Sequence, residues 1–337
     1  MKRLTKYSVY DLKVGYSCNN KCKHCVIETN VKELNDRKEK IDRSYKEILD
    51  AINSDEAKNA NNIVLTGGEP TIRREFMRII KYVAENYPGK RINIQTNARE
   101  LHKYVEEINA ITQRVYYVLA IHSIDEKLHN IITDNRNGNP YEETMKSIHK
   151  IKEVYGTFKD VARIEVVISS YNVKNIYETI VGLHKLGIDK IGLSYPHMDG
   201  MYEADKEQAK KISISYADLK PELYKIYKYC KENEDVEVMF EEVPKCMWRD
   251  DDGNLLEGIK NLSSMDADLS EEIAVDFPGR ELNANFRQTF IDMHKKPLIC
   301  SECTLDSKCL GTWYEAVDMF GDEGFVPIKS GDKNVCC

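Results

Sequence analysis

Short apolar runs and stretches of helical hydrophobic spacing take turns along the first two thirds of this chain. Val9 to Tyr16 reads as a strand. Ser44-Tyr45-Lys46-Glu47 has the spacing of a capping box and opens a helix through about Asn53. Ile63-Val64-Leu65 predicts a strand ending at Gly67-Gly68. Phe76, Ile79, Ile80, Val83 and Tyr87 recur at helical spacing, and Pro88-Gly89 ends that helix. Ile92 to Thr96 is the next strand, and Leu101, Tyr104, Val105 and Ile108 mark the next helix. Val115 to Ile121 and Val161 to Ile168 read as strands, separated by a helix through Met145, Ile148, Ile151 and Val154. Ile176, Ile180 and Leu183 predict a helix that Gly187 can cap, and Ile188 to Tyr195 is a sixth strand.

Strands that alternate with helices pair in parallel, because each crossover helix covers a sheet face. Right-handed crossovers curl such a sheet toward a barrel, and six units are too few for eightfold closure. An open sheet satisfies the same pattern. In either case ligands sit at the carboxyl ends of the strands. After residue 200 the pattern changes to a helix from about Ser215 to Cys230 and a strand from Val236 to Phe240. A loop-rich tail with most of the remaining cysteines follows. The expected division is a core over 1–240 and a cysteine-rich domain over 241–337.

The chain has 337 residues, 42% of them apolar, enough for one large core or a core with an appended domain. No apolar run reaches transmembrane length, so no membrane span is expected. Residues 1–10 lack a signal-peptide h-region. Ten cysteines in that context predict cytoplasmic metal or redox chemistry rather than a disulfide framework. A net charge of −7 argues against nucleic acid as the main partner. The segment Arg249 to Asp276 carries nine acidic and two basic residues, so it accounts for that whole charge. It reads as a solvated insertion, or as a lid or docking surface for a basic peptide.

Cys18, Cys22 and Cys25 lie within eight residues directly after the first predicted strand. Three thiolates on one short loop can hold three irons of a cubane cluster and leave the fourth open, whereas a structural cluster normally has four cysteines. Zinc binding by Cys22 and Cys25 with Cys300 and Cys303 would strand Cys18 and Cys309, and a Cys22/Cys25 redox dithiol would leave Cys18 unused. Downstream, Leu65-Thr66-Gly67-Gly68-Glu69-Pro70-Thr71 closes the second predicted strand. Glycines there let a ligand approach the backbone closely.

These two motifs together resemble the radical S-adenosylmethionine (SAM) superfamily, whose members place CxxxCxxC after the first barrel strand and Gly-Gly-Glu-Pro after the second. The resemblance implies a partial (β/α)6 TIM barrel, a [4Fe-4S] cluster on Cys18, Cys22 and Cys25, and SAM chelated to the open iron. One electron, from a donor such as flavodoxin or ferredoxin, would cleave SAM to a 5′-deoxyadenosyl radical that abstracts a substrate hydrogen. Carried over, Thr66, Gly67, Gly68 and Glu69 would contact the methionyl amine, and Thr96 and Asn97 match a Thr-Asn pair near the cofactor. On strand four, Ala120 and His122 stand where many members have serine and aspartate. On strand five, Arg163 and Glu165 stand where a cyclase of molybdopterin biosynthesis has lysine and asparagine. Strand alternation points one set of these side chains inward, so His122, Arg163 and Glu165 are candidates to bind SAM or substrate, or ordinary polar barrel residues.

Cys300, Cys303 and Cys309 form CxxCx5C, and with Cys246 they supply four thiolates, a full set for a second cubane cluster. A four-thiolate zinc site fits the same spacing. Onward through Gly311, Tyr314, Gly321, Phe325 and Pro327 the chain resembles the SPASM/Twitch module of peptide-modifying radical SAM enzymes, shortened to one auxiliary cluster. Cys336 or Cys337 could replace Cys246, and either could serve as a hydrogen-atom donor or be an incidental thiol. Cys230 lies on a helical apolar stripe and is expected to be a buried thiol. The substrate is then a ribosomal peptide to be crosslinked, epimerised or bridged by a thioether. With the cluster beginning at Cys18, no leading peptide-recognition domain is expected, so a separate protein would recognise the peptide or the leader would dock directly. A small molecule such as a sugar, nucleotide or amino acid is the alternative, and a non-catalytic iron–sulfur protein is a third reading.

Overall fold

A computed structural model describes residues 8–134, 137–256, 261–262, 273–284 and 286–332. The chain folds as two compact units. The first comprises residues 1–121, 129–164 and 268–289, and the second residues 122–128, 165–267 and 290–337.

In the first unit, strands β1 (Val9–Lys13), β2 (Asn62–Thr66), β3 (Arg91–Thr96) and β4 (Val115–Ala120) lie side by side and pair in parallel. Crossover helices such as Phe76–Asn86 return the chain between them. Leu12, Ile63, Leu65, Ile92, Ile94 and Leu119 are all buried, which is the continuous apolar content of a sheet covered by helices. The capping box at Ser44 forms as its spacing predicts, and the helix it opens runs Tyr45–Ile52. Helix Pro140–Tyr155 starts with Asn139 as cap and Pro140 in its first turn, and ends at Gly156 in the left-handed region.

Strand β5 (Ala162–Val167) passes from the first unit into the second. In the second unit, β6 (Lys190–Ser194), β7 (Glu237–Glu241) and the short β8 (Asn261–Leu262) pair in parallel. Helix Tyr216–Glu232 buries Leu219, Leu223 and Ile226 in this unit.

The parallel α/β architecture is as the pattern predicts, but the strand count is larger. β7 is a further parallel strand beside β6, not the start of a different pattern. A further strand, β9 (Ile273–Asp276), pairs in parallel with β1 in the first unit. It comes from the end of the acidic segment, and Asp276 is buried rather than solvated. Its carboxylate accepts a hydrogen bond from Tyr10 Oη (2.6 Å) and an ion pair from Arg43. Partnered charge can be buried where isolated charge cannot, so charge density misread this end of the segment. Most of the segment's middle lies outside the described residues. Among the described residues, no helix is long and apolar enough to cross a membrane.

Candidate active site

The cysteine loop follows β1 in the first unit, and the end of β2 is pressed against its root. Gly68 N–H donates to Gly15 O and Glu69 N–H to Ser17 O, both at 2.8 Å. A Cβ on Gly67 would overlap Gly15 O, and one on Gly68 would overlap the Tyr16 and Ser17 carbonyls. Gly67 also holds φ +128, a conformation open to glycine. The glycine pair is therefore required for the approach of one strand end to another, in addition to any ligand. Asp42 completes the root, accepting from the Tyr16 and Ser17 amides (3.0 Å each) and from Ser17 Oγ (2.5 Å).

The loop gathers its three thiols. Burial raises the Cys22 thiol's pKa most, and Cys25 and Cys18 raise it further by charge repulsion. The Cys18 thiol is pushed up to about 11, again chiefly by burial. Three adjacent thiolates are unstable together in such a place unless a cationic group neutralises them, and an iron–sulfur cluster is such a group. The donor set fits it. Two N–H groups already point at Cys18 Sγ, from the Asn20 amide at 3.3 Å and Asn97 Nδ2 at 3.7 Å.

Glu69 is buried beside this loop. One carboxylate oxygen accepts from the Thr71 amide (3.0 Å), Thr71 Oγ1 (2.6 Å) and Thr96 Oγ1 (2.6 Å). The other accepts from the Asn97 amide (2.6 Å). Burial raises its pKa, and those hydrogen bonds oppose the shift. The ends of β2 and β3 thus bring together Thr66, Gly67, Gly68, Glu69, Thr96 and Asn97. His122 belongs to the second unit, where its Nδ1 accepts from the Val167 amide (3.3 Å) and its carbonyl from Asn172 Nδ2 (2.9 Å). Arg163 is half-buried on β5, on the strand face opposite Ala162, Ile164 and Val166.

Sequence reasoning missed Asp42, Ala98 and Arg99. Arg99 is 5% exposed and reaches across to the cysteine loop. Nothing in the apolar pattern marks it, and its position two residues after Asn97 was the one available signal.

The second thiol set is assembled in the second unit. Cys246, Cys300, Cys303 and Cys309 line one apolar cavity together with Phe325 and Ile328. Burial pushes the Cys246 thiol up to about 12, with Cys309, Cys300 and Cys303 adding repulsion. Cys300 is pushed up to about 11 by burial, then by Cys309 and Cys303. The Gly311 amide donates to Cys309 Sγ at 3.3 Å. Cys230 is half-buried on its helix, not fully buried as its apolar stripe suggests. Cys336 and Cys337 lie outside the described residues.

The model of the radical SAM superfamily matches residues 12–181, half of the chain. The chain belongs to the radical SAM superfamily. Members use a [4Fe-4S] cluster and SAM. Among curated proteins, GTP 3′,8-cyclase of Mannheimia succiniciproducens is 27% identical over 149 residues, 44% of this chain and 42% of that protein. The cyclase of Vibrio vulnificus is 25% identical over 154 residues. The chain therefore matches less than half the length of these curated relatives. Among solved structures, Streptococcus suis SuiB bound to its precursor peptide SuiA shares the fold with a TM-score of 0.60 at 16% identity, over 96% of this chain and 75% of SuiB. The enzyme anSMEcpe with bound AdoMet and Cp18Cys peptide does so with a TM-score of 0.59 at 12% identity, over 94% and 91%.

Proposed function

We propose that this radical SAM enzyme modifies a ribosomally made peptide by crosslinking, epimerisation or thioether formation. The observation that carries the reading is the second thiol set, four cysteines around one cavity in the part of the chain beyond the radical SAM match. The fold likeness to SuiB and anSMEcpe, both solved with peptides, extends over that part and supports it. In this reading residues 1–240 act as the radical-generating core and 241–337 as the auxiliary-cluster domain.

Cys18, Cys22 and Cys25 would hold three irons of the first cluster, and Cys246, Cys300, Cys303 and Cys309 would hold an auxiliary cluster. When bound, the first cluster supplies the electron that cleaves SAM to the hydrogen-abstracting 5′-deoxyadenosyl radical. Glu69, buried and fixed by four donors, would receive the methionyl ammonium, since a buried carboxylate gains most from a cationic partner. Thr66, Gly67 and Gly68 would shape the backbone around that amine, and Thr96 and Asn97 would hold Glu69 in place. His122 and Arg163 would contact SAM or substrate. An external flavodoxin or ferredoxin would deliver the electron, and a separate protein would present the peptide.

Co-expression with short peptides encoded beside the gene, followed by mass spectrometry, tests the reading. A mass change or isotope exchange in the peptide is expected with the wild type and not with Cys18→Ala. Conversion of GTP or another small molecule, with every such peptide left unchanged, would sink it. The sequence similarity to GTP 3′,8-cyclases favours that second reading, a small-molecule substrate.

A further inference from the structure

The turn after β3 is strained and braced. Ala98 is buried with φ +63, a left-handed conformation that is strained for a non-glycine residue. Its amide donates to Thr96 Oγ1 (2.9 Å), and its carbonyl accepts from the Ser147 hydroxyl. The preceding carbonyl, Asn97 O, accepts from Thr144 Oγ1 (2.8 Å). Helix Pro140–Tyr155 thereby holds the unfavourable turn in place.

The consequence is that two polar side chains flanking Ala98 both face the cysteine loop. Asn97 Nδ2 donates to Asn19 Oδ1 (2.7 Å). Arg99 donates from Nη1 to the Asn19 carbonyl and to Asn20 Oδ1 (3.0 Å). Its other contacts run away from the loop, from Nη2 to Asn137 O (2.7 Å) and from Nε to Glu143 Oε2 (2.5 Å). Asn19 and Asn20 are the residues directly after Cys18. One planar, permanently charged fork thus ties the middle of the CxxxC segment to the rest of the first unit, and a lysine cannot reproduce that geometry.

We infer that Arg99 is a positioning residue for the iron–sulfur cluster. It acts through Asn19 and Asn20 without touching sulfur. It sets the spacing of Cys18 from Cys22 before the cluster arrives. Its charge, ion-paired with Glu143 through Nε, faces the cysteine loop through Nη1 and would stabilise the added negative charge of the reduced cluster. Outer-shell partners of this kind commonly change metal affinity by about 10–100-fold when removed. The inference rests on the family's assignment of a cluster to Cys18, Cys22 and Cys25, and not on the peptide reading.

The test uses the full, anaerobically reconstituted chain and follows the electron paramagnetic resonance signal that SAM perturbs. Only a cluster with an open iron gives that response. Arg99→Lys keeps the charge and loses the fork, so the signal should decay under a chelator about tenfold faster with little change in midpoint potential. Arg99→Met loses both, so the midpoint potential should also move negative. Asn20→Ala, on a half-buried loop residue, should show the faster decay alone. A purely structural role would lower melting temperature in all variants without separating lability from potential. Wild-type decay and potential in Arg99→Lys and Asn20→Ala, both folded, would overturn the inference even if Arg99→Met fails to fold. A wild type with no SAM-sensitive signal would overturn the cluster assignment, and this inference with it.

Discussion

The three thiols of the first set come from one stretch of eight residues, and the four of the second come from Cys246 and a separate run more than fifty residues later. Their surroundings differ accordingly. Around Cys18–Cys25 the walls are hydrogen bonds, from the Gly68-Glu69 backbone, Asp42, Asn97 and Arg99. Around Cys246–Cys309 the walls are apolar, with Leu255, Leu305 and Ile328 packed against Cys246 and Cys303. A contiguous loop needs its backbone held in shape but not its segments brought together. A dispersed set depends on hydrophobic packing to bring its segments together at all. The first site should therefore fail through lost geometry, and the second through lost packing.

The largest expected effect comes from removing each set in turn. Cys18/Cys22/Cys25→Ala should abolish SAM cleavage and retain about four of about eight irons per chain. Cys300/Cys303→Ala should keep reductive SAM cleavage while losing the other half of the iron. Zinc in place of iron in the first variant, measured by elemental analysis, would make the second site a four-thiolate zinc site.

Glycine substitutions separate the two supports next. Gly68→Ala drives a methyl into the Tyr16 and Ser17 carbonyls, and should cost about 1–3 kcal/mol of stability together with the SAM-sensitive cluster. Gly311→Ala meets Lys295 O at φ +92, and should cost a similar amount, about 1–3 kcal/mol, with loss confined to the second cluster. Urea unfolding and iron counting distinguish the two. Equal loss of both clusters in either variant would show that the sites are not independently supported.

A smaller effect is pH-dependent and belongs to the second unit. Glu315 is fully buried, and burial, with Asp199 and Glu203, pushes its carboxyl up to about 7 against the donated Met198 amide. The folded state holds this proton more tightly than the unfolded state. Stability from this group is therefore complete below the ordinary glutamate range and is lost as pH rises through about 7. Glu315→Gln should be more stable than wild type at alkaline pH by on the order of 1–3 kcal/mol, with the difference vanishing only below the ordinary glutamate value, at about pH 4. Denaturant titrations at the two pH values check this, and an equal difference at both would refute the assignment. The smallest effect is Ser44→Ala, which removes a capping box on an exposed helix start. It should cost about 1 kcal/mol in a melting curve and leave both clusters' iron unchanged.

The alternation of periods was enough to place the six strands through β6 and one helix between each neighbouring pair, with ends displaced by a few residues, but not the helices Ile27–Asp36 and Glu126–Thr133. Val9 to Tyr16 shortened to Val9–Lys13, for example, because Val14 N–H makes the last ladder bond to Thr66 O, and the Tyr16 amide then turns to Ile41 O. Strands β7 and β9 were not assigned to the parallel sheet, since a short apolar run does not state its partner. Cysteine and glycine spacing pointed to the chemistry of the first loop, because the residues that supply it are contiguous. The glycines' closest neighbours, however, are the carbonyls of Gly15 to Ser17, which only the packed strands reveal.

The sequence by itself determined the parallel α/β pattern, the family and the six thiols that stand out by spacing, since local period and fixed spacing are written along the chain. Only the tertiary structure decided that Cys246 lies with Cys300, Cys303 and Cys309. It likewise decided that Asp276 is paired rather than solvated, and that Arg99 reaches the cysteine loop. Each of these is a contact between residues far apart in sequence. Such contacts depend on which apolar faces pack together and on where a buried charge finds its partner.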